Sequence, residues 1–186
     1  FDLEVLKRLG CNMLRKHVKV EPQRLYYWCD KLGLMVWQDL PNGDRHIHGN
    51  MPDIQRTPES KAVYERELKA MIDARRVHPC IVMWVLFNEG WGQFDARGAT
   101  RMVRSIDSTR PIDATSGWYD QACGDYWSVH NYFRPLEVWP DRRMSIPRAF
   151  IISEFGGLAL SVPHHSAMKR SYGYDTFEST QDWRTA

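Results

Sequence analysis

The stretch CIVMWVLFNE (residues 80–89) is nearly continuous in apolar residues and ends on Glu89. A second stretch, AFIISE (residues 149–154), has the same design and ends on Glu154. Continuous apolar runs of this kind are typical of strands covered on both faces, as in a parallel sheet. Each glutamate is therefore predicted at the carboxyl end of a buried strand, where a rigid backbone aims it at whatever binds there.

Helix and strand patterns alternate on both sides of these two stretches. Helices, most of them bounded by proline or glycine, are predicted at residues 1–9, 22–32, 58–78 and 95–108. Strands are predicted at residues 11–18, 34–39, 80–88, 111–116, 125–132 and 149–154. A short, irregular, proline-bounded segment fills residues 134–148 and takes the place of a further helix. The alternation implies a parallel sheet with right-handed crossovers.

Polar residues at the strand ends distinguish two folds that are built on such a sheet. A doubly wound fold needs a phosphate-binding turn near its start, and neither G-x-G-x-x-G nor G-x-x-x-x-G-K-[ST] occurs. In a (β/α)8 barrel, functional residues gather at the carboxyl ends of many strands. Such ends here carry Arg15, His17, Asp39, Asn88, Glu89, Tyr132 and Glu154. We therefore predict an α/β fold, a fragment of a (β/α)8 TIM barrel in which six of the eight strands are visible.

The ends of the chain bear on its domain organisation. The sequence has 186 residues, begins at Phe1 inside a helical pattern and stops at Ala186 without a closing signal. We expect residues 1–186 to be a piece of a longer protein whose true N-terminus is absent. Its localisation is therefore unknown, and a periplasmic or secreted location stays open.

Composition excludes some classes of partner. The net charge is +2, and Lys and Arg are scattered rather than grouped, so neither nucleic acid nor membrane is an expected partner. No apolar run approaches the roughly 20 residues that span a bilayer. Structural thiols, disulfides and metal ligation all stay open for the four cysteines, which show no C-x-x-C spacing.

Two carboxylates that face each other across a barrel mouth can cleave a glycosidic bond. One protonates the leaving oxygen, and the other attacks the anomeric carbon. A separation of ~5–5.5 Å gives a covalent intermediate and retention, whereas ~6.5–9.5 Å leaves room for water and gives inversion. This division of labour requires that the environment push the two pKa values apart.

Three segments resemble the catalytic barrel of glycoside hydrolase family 2, which contains β-galactosidases, β-glucuronidases and β-mannosidases. They are NMLRKH (residues 12–17), the stretch from His78-Pro79 to Asn88-Glu89, and ISEFGG (residues 152–157). The resemblance covers nearly the whole chain, from the second barrel strand to just past the seventh, and so implies that strands two to seven are visible. It implies a partial catalytic domain over residues 1–186, with N-terminal β-sandwich domains and the first and last barrel strands outside the chain.

The resemblance also implies roles for residues at the strand ends. Glu89 is expected to be the general acid/base, and Glu154 the nucleophile of a retaining mechanism. Asn88 is expected to hydrogen-bond the sugar 2-hydroxyl. Arg15 is expected to keep Glu154 ionised, because a nearby cation lowers a carboxylate pKa. Tyr132 is expected to hydrogen-bond the nucleophile.

Further candidates for substrate binding each have two interpretations. Asp39 either faces the substrate or caps the turn that follows it. His17 and His130 either bind sugar hydroxyls or complete a buried network. Trp118, like Trp91 and Trp127, is either a sugar-stacking platform or part of the core.

No metal and no cofactor are predicted. His46 and His48 lie two positions apart in a loop, and no third ligand is spaced to join them.

The expected function is that of an enzyme, a retaining exo-β-glycosidase acting on a terminal β-linked sugar. Exo action is favoured because the long polar loop at residues 41–57 can wall off a pocket. Two alternatives stay open: an endo-acting β-glycanase of the same barrel clan, and a catalytically inactive carbohydrate-binding barrel. The expected partner is a carbohydrate, and oligomerisation of the full-length protein is left open.

Overall fold

The structure is a computed structural model that describes residues 1–133, 135–139, 147–165, 168 and 172–186. Its helices are α1 (Asp2–Arg8), α2 (Gln23–Leu32), α3 (Pro58–Arg75), α4 (Ala96–Ile106) and α5 (Thr180–Thr185). Its strands are β1 (Met13–Lys16), β2 (Met35–Asp39), β3 (Ile81–Val85), β4 (Ile112–Asp113), β5 (Tyr126–Asn131), β6 (Ala149–Phe155), β7 (Leu158–Leu160) and β8 (Asp175–Phe177).

All the strand pairs in the described residues are parallel. Strands β1, β2, β3 and β4 form one sheet in that order, β5 pairs with β6, and β7 pairs with β8. The bridge between Asn88 and Ser116 extends the contact of β3 with β4 beyond the regular ladder. Within each of the first two sheets, β1 to β4 and β5 to β6, the strands therefore have the order and direction that a barrel requires.

The helix boundaries follow from capping. Thr57 caps α3 by accepting a hydrogen bond from the Ser60 backbone N–H, and Pro58 occupies the first helical position. Asp95 caps α4 in the same way through the Gly98 N–H. The chain leaves α2 at Gly33, whose φ of 65° is left-handed and suits glycine.

The hydrophobic core lies between the four-stranded sheet and helices α2, α3 and α4. Tyr26 of α2, Leu68 and Ile72 of α3, and Val103 of α4 belong to one buried hydrophobic cluster with Trp84 of β3. All of these side chains are fully buried, and burial stabilises each large apolar side chain by about 1.5–3 kcal/mol. This packing fixes the sheet whose carboxyl ends carry the candidate functional residues.

Two predicted strands are shorter than expected. The strand predicted at residues 80–88 ends at Val85, and that predicted at residues 111–116 keeps only Ile112 and Asp113. Residues 114–116 lie outside the regular strand, although Ser116 still pairs with Asn88, and the chain turns at Gly117, whose φ is 90°. Within the predicted segment 134–148, residues 135–139 have no regular structure. Residue 134 and residues 140–146 lie outside the described residues.

Other elements were not predicted. Strands β7 and β8 have three residues each, and α5 has six, too few for a periodic signal.

All four cysteines are free thiols, so the disulfide alternative is wrong. Among the described residues, no helix is long and apolar enough to cross a membrane.

Candidate active site

The structure gathers the predicted polar residues at one edge of the strands. Arg15 lies in β1, Asp39 ends β2, His130 lies in β5 and Glu154 lies in β6. Tyr132 follows directly after β5, and Asn88 and Glu89 lie shortly after the end of β3 at Val85. Among the described residues, one carboxylate oxygen of Glu89, one of Glu154 and a ring nitrogen of His130 lie within 4.8 Å of one another.

Glu89 is held in place by the backbone and by two side chains. Its φ of 50° is left-handed, which is uncommon for a residue other than glycine. Its N–H donates to the Ser116 carbonyl at 2.9 Å. Its Oε1 lies 2.7 Å from His130 Nδ1 and 3.4 Å from the Tyr132 hydroxyl. These contacts fix the carboxylate, which is about a quarter exposed.

The environment of Glu89 favours its ionised form in the unliganded site. The hydrogen bond from His130 lowers the pKa of Glu89 below its ordinary value, and this effect outweighs burial, which raises it. Tyr132 and the more distant His17 act in the same direction as His130. A carboxyl group that serves as a proton donor would need the opposite shift of its pKa.

Glu154 accepts hydrogen bonds from two partners. Arg15 Nη1 donates to Glu154 Oε1 at 2.8 Å, and the Tyr132 hydroxyl makes a short hydrogen bond to Oε2. His17 Nδ1 lies 3.5 Å from Oε1. Tyr132 therefore contacts both glutamates, and it spans the gap between them.

Arg15 is the central cation of the site. Its Nε and Nη2 donate to the two carboxylate oxygens of Asp39 at 2.9 and 2.8 Å, a bidentate pair. Nη2 also donates to the Asn88 side-chain oxygen at 3.0 Å. The guanidinium thereby connects β1 and β2 with the glutamate on β6, and it orients Asn88.

Asp39 contacts the site through Arg15 and is only 1% exposed. Besides Arg15, the Val18 N–H donates to its Oδ2 at 3.0 Å. Burial raises the pKa of Asp39, but hydrogen bonds from His17 and Arg15 outweigh burial and hold that pKa below its ordinary value. Protein donors hydrogen-bond to both oxygens of Asp39. The geometry therefore favours Asp39 as an anchor for Arg15 rather than as a substrate contact.

The two histidines differ in exposure. The His17 side chain is half exposed, and its hydrogen bond to Asp39 raises its pKa. The His130 side chain is fully buried and lies between Glu89 and the Ser116 hydroxyl. His17 is therefore accessible to a ligand, whereas His130 belongs to a buried network.

Two tryptophans and the 41–57 loop lie next to residues that adjoin Glu89. Trp118 is 43% exposed, and its ring lies edge-on to His130 with centroids 5.5 Å apart. It lines a cavity of about 220 Å³ together with His130 and Tyr132. Trp91 is also exposed. Backbone hydrogen bonds join the loop to Gly90, Gly92 and Gln93, close to Glu89.

Some residues of the site escaped the sequence analysis. The buried hydroxyls of Ser116 and Ser128 connect through Ser153 to His130. Asp113, at the end of β4, is buried with them. Tyr174 stacks on Tyr132 with ring centroids 3.6 Å apart. The available signal was weak: small polar residues in otherwise buried strands.

The cluster of Glu89, His130 and Glu154 has side chains of the types that bind metal ions. Hydrogen bonds from His130, Tyr132 and Arg15 to the same carboxylates already account for their proximity. We assign no ion to this cluster. His46 and His48 lie with ring centroids 6.4 Å apart, and His46 packs on Trp91.

Comparison with known proteins identifies the family. Residues 1–164 match the family described as glycosyl hydrolases family 2, TIM barrel domain. The chain belongs to this family. The family 2 resemblance and the α/β barrel fold are therefore confirmed, and the described strands are part of a TIM barrel.

Relatives of this family 2 domain are much longer proteins. A β-galactosidase of Vibrio cholerae serotype O1 is 26% identical over 124 residues, which cover 67% of this chain and 12% of that enzyme. A β-galactosidase of Yersinia enterocolitica is 28% identical over 117 residues, or 62% of this chain and 11% of that enzyme. The chain thus spans about an eighth of the first relative's length.

Solved structures share the fold. A β-galacturonidase from Eisenbergiella tayi, solved bound to galacturonate, superimposes with a TM-score of 0.65 at 21% identity, over 84% of this chain and 31% of that chain. A β-glucuronidase from Parabacteroides merdae gives a TM-score of 0.54 at 22% identity, over 70% of this chain and 17% of that chain.

Proposed function

We propose that this family 2 domain hydrolyses a terminal β-linked sugar with retention of configuration, through a covalent glycosyl-enzyme intermediate. One observation carries the proposal: carboxylate oxygens of Glu89 and Glu154 lie within 4.8 Å of each other. Retaining glycosidases place their carboxyl groups about 5–5.5 Å apart, and the wider spacing of inverting enzymes leaves room for a water molecule.

Glu154 is the proposed nucleophile because its surroundings favour a fixed carboxylate. Arg15 and Tyr132 donate hydrogen bonds to its two different oxygens. In the first step, an oxygen of Glu154 bonds to the anomeric carbon as the bond to the leaving oxygen breaks. The same donors hold the glycosyl ester until water attacks the anomeric carbon and releases Glu154 as a carboxylate.

Glu89 is the proposed acid/base. It gives its proton to the leaving oxygen in the first step and takes a proton from the attacking water in the second. In the unliganded site its lowered pKa favours the ionised form, which suits the second step. A sugar that covers the pair removes water from Glu89, and such desolvation raises a carboxylate pKa toward the value that the first step needs.

Exo action is proposed from the position of the 41–57 loop. Backbone hydrogen bonds from Ile47 N–H to the Gly90 carbonyl at 3.2 Å, and from Gly92 N–H to the Arg45 carbonyl at 2.8 Å, attach the loop beside Glu89. A loop fixed there closes one side of the site, as a pocket for a chain end requires. A cleft open on both sides would instead suit an endo-acting β-glycanase.

The test uses the full-length protein and a panel of nitrophenyl β-glycosides. Glu154→Gln should abolish turnover, and Glu89→Ala should slow it, with partial rescue by azide that yields the β-glycosyl azide. Glu67→Gln, an exposed position on α3, is the matched control and should keep wild-type activity. Full activity of Glu89→Ala would refute the assignment. Sugar binding without turnover by the wild type would favour an inactive carbohydrate-binding barrel.

A further inference from the structure

Tyr174 stacks on the tyrosine that contacts both glutamates. The rings of Tyr132 and Tyr174 are nearly parallel, with 14° between their planes and centroids 3.6 Å apart. Phe133 meets both rings edge-on, at centroid distances of 6.2 Å from Tyr132 and 5.6 Å from Tyr174. Tyr174 is 37% exposed, so its ring does not belong to the hydrophobic core. The stack therefore calls for an explanation in the site itself.

Tyr132 depends on side-chain contacts for its orientation. It follows β5 directly and lies outside the regular ladder with β6. Its hydroxyl makes a short hydrogen bond to Glu154 Oε2 and lies 3.4 Å from Glu89 Oε1 and 3.3 Å from His130 Nδ1. The hydroxyl has one proton, so it can donate to only one of these neighbours at a time. Because the hydroxyl lies at the far end of the side chain, a rotation of the ring would carry it away from Glu154.

The backbone after Glu154 holds Tyr174 in place. The Tyr174 N–H donates to the Gly157 carbonyl at 2.9 Å. Gly156 and Gly157 have left-handed φ values of 73° and 76°, which suit glycine. A Cβ at Gly157 would lie 2.6 Å from Tyr174 Cδ2, so the ring fills the space that a side chain would need. The turn that follows the proposed nucleophile thus fixes the ring that stacks on Tyr132.

The surroundings of Tyr132 keep its hydroxyl protonated. Burial raises the pKa of Tyr132, and the neighbouring Glu154 and Tyr174 side chains add to this rise. The charge of Glu89 acts in the same direction. A hydroxyl that keeps its proton can donate to a carboxylate, which is a strong hydrogen bond. The contribution of Tyr132 therefore depends on where its hydroxyl points.

We propose that Tyr174 is a positioning residue for the nucleophile: its ring keeps Tyr132 in the orientation in which the hydroxyl donates to Glu154 beside Glu89. The inference rests on the proposed function for its kinetic consequence. Tyr174 acts through Tyr132 and not on the reacting atoms. It lies after residues 1–164, which match the family, so the match to the shared barrel domain does not include it.

The kinetic test separates the ring of Tyr174 from its hydroxyl, in the full-length protein with an activated aryl β-glycoside. Tyr174→Phe keeps the ring, so its kcat/KM should lie within ~3-fold of wild type. Tyr174→Leu removes the stack and should lower kcat/KM by about 10-fold, because Tyr132 is then free to turn. Tyr27→Leu, on α2 with a residue that is 50% exposed, is the control and should keep wild-type activity. Equal losses in Tyr174→Phe and Tyr174→Leu, or no loss in Tyr174→Leu, would overturn the proposal.

A double-variant cycle distinguishes positioning from a general structural effect. Tyr132→Phe removes the donor to Glu154 and should lower kcat/KM by about 10- to 100-fold, as for a hydrogen bond to a charged group. If Tyr174 acts through this hydroxyl, adding Tyr174→Leu to Tyr132→Phe should lower kcat/KM by less than ~3-fold further. A further loss as large as that of Tyr174→Leu alone would mean that Tyr174 acts on the substrate or on the fold, which contradicts the proposal.

Crystal structures of the full-length variants separate this inference from the proposed function. The Tyr132 hydroxyl should stay within hydrogen-bond distance of Glu154 in Tyr174→Phe and should leave it in Tyr174→Leu. A hydroxyl that stays on Glu154 in Tyr174→Leu overturns the inference, whatever the activity. A wild type that cleaves no glycoside refutes the proposed function, whereas movement of Tyr132 in Tyr174→Leu would still support Tyr174 as its positioning residue.

Discussion

Arg15 donates a hydrogen bond of 2.8 Å to Glu154, although the two residues lie on the first and the sixth strand of the described barrel. The same guanidinium holds Asp39 with two further hydrogen bonds. The Arg15 side chain is 10% exposed and that of Asp39 is 2% exposed. One buried cation on β1 thus joins Asp39 on β2 to Glu154, the proposed nucleophile, on β6.

Arg15→Met should destabilise the domain strongly. Removal of Arg15 breaks the buried ion pair and leaves the Asp39 carboxylate with the half-exposed His17 as its nearby cationic group. Breaking a buried pair costs up to about 3–5 kcal/mol of unfolding free energy. The double variant Arg15→Met/Asp39→Asn should regain part of this loss, because the uncompensated charge is gone. Chemical denaturation followed by tryptophan fluorescence measures both. Lys69→Met, in an exposed ion pair on α3, is the control and should unfold like wild type.

Removal of His130 should move the alkaline limb of the kcat/KM profile to higher pH. The His130 hydrogen bond is the main cause of the lowered pKa of Glu89, so His130→Leu should raise that pKa. A proton donor with a higher pKa stays protonated to higher pH. The loss of orientation should also lower kcat/KM at the optimum by about 10- to 100-fold. A limb that stays in place or moves to lower pH would contradict this account of Glu89.

The six barrel strands and the edge that carries the site were predictable because the physics behind them is local. Continuous apolar runs mark buried parallel strands, and the carboxyl ends of such strands meet at one edge. The sequence alone therefore predicts that Glu89, Glu154 and Arg15 lie close together. The same prediction holds for Asn88, which ends the same apolar run as Glu89.

Other features depend on contacts that no local pattern records. The sequence left Asp39 with two interpretations, a substrate contact or a turn cap, and neither includes the hydrogen bonds that Arg15 and a backbone N–H donate to its two oxygens. The burial of His130 depends on packing by strands distant in the sequence. Asp113 and the serines carry no periodic signal, since a small polar residue in a buried strand has several ordinary explanations.

Acid should destabilise the domain partly through Asp107, which is buried away from the site. Burial raises the pKa of Asp107, but hydrogen bonds from Thr109, Trp84 and Arg110 outweigh it and leave the pKa well below the ordinary 3.8. A lowered folded-state pKa gives stability that is present above the unfolded value and is lost as the pH falls. The unfolding free energy should therefore decline below about pH 4.

Asp107→Asn should show a smaller decline over that range and a lower stability at neutral pH, because the amide replaces a charged acceptor. Denaturation curves at a series of pH values measure both effects. Asp175→Asn, at an exposed position in β8, should keep the wild-type slope. Equal slopes for wild type and Asp107→Asn would remove Asp107 from the causes of acid unfolding.

Two glycines allow a test of how strictly His130 must be placed. Gly117 and Gly10 have nearly equal φ values, 90° and 88°. A Cβ at Gly117 would lie 2.8–2.9 Å from ring atoms of His130, whereas one at Gly10 would meet nothing within 4 Å. Alanine at either position should cost about 1–2 kcal/mol of stability from the left-handed backbone. Only Gly117→Ala should also push the imidazole away from Glu89, lowering kcat and moving the alkaline limb upward as in His130→Leu. Equal kinetic effects of the two alanines would mean that backbone strain, and not the position of His130, controls the proton donor.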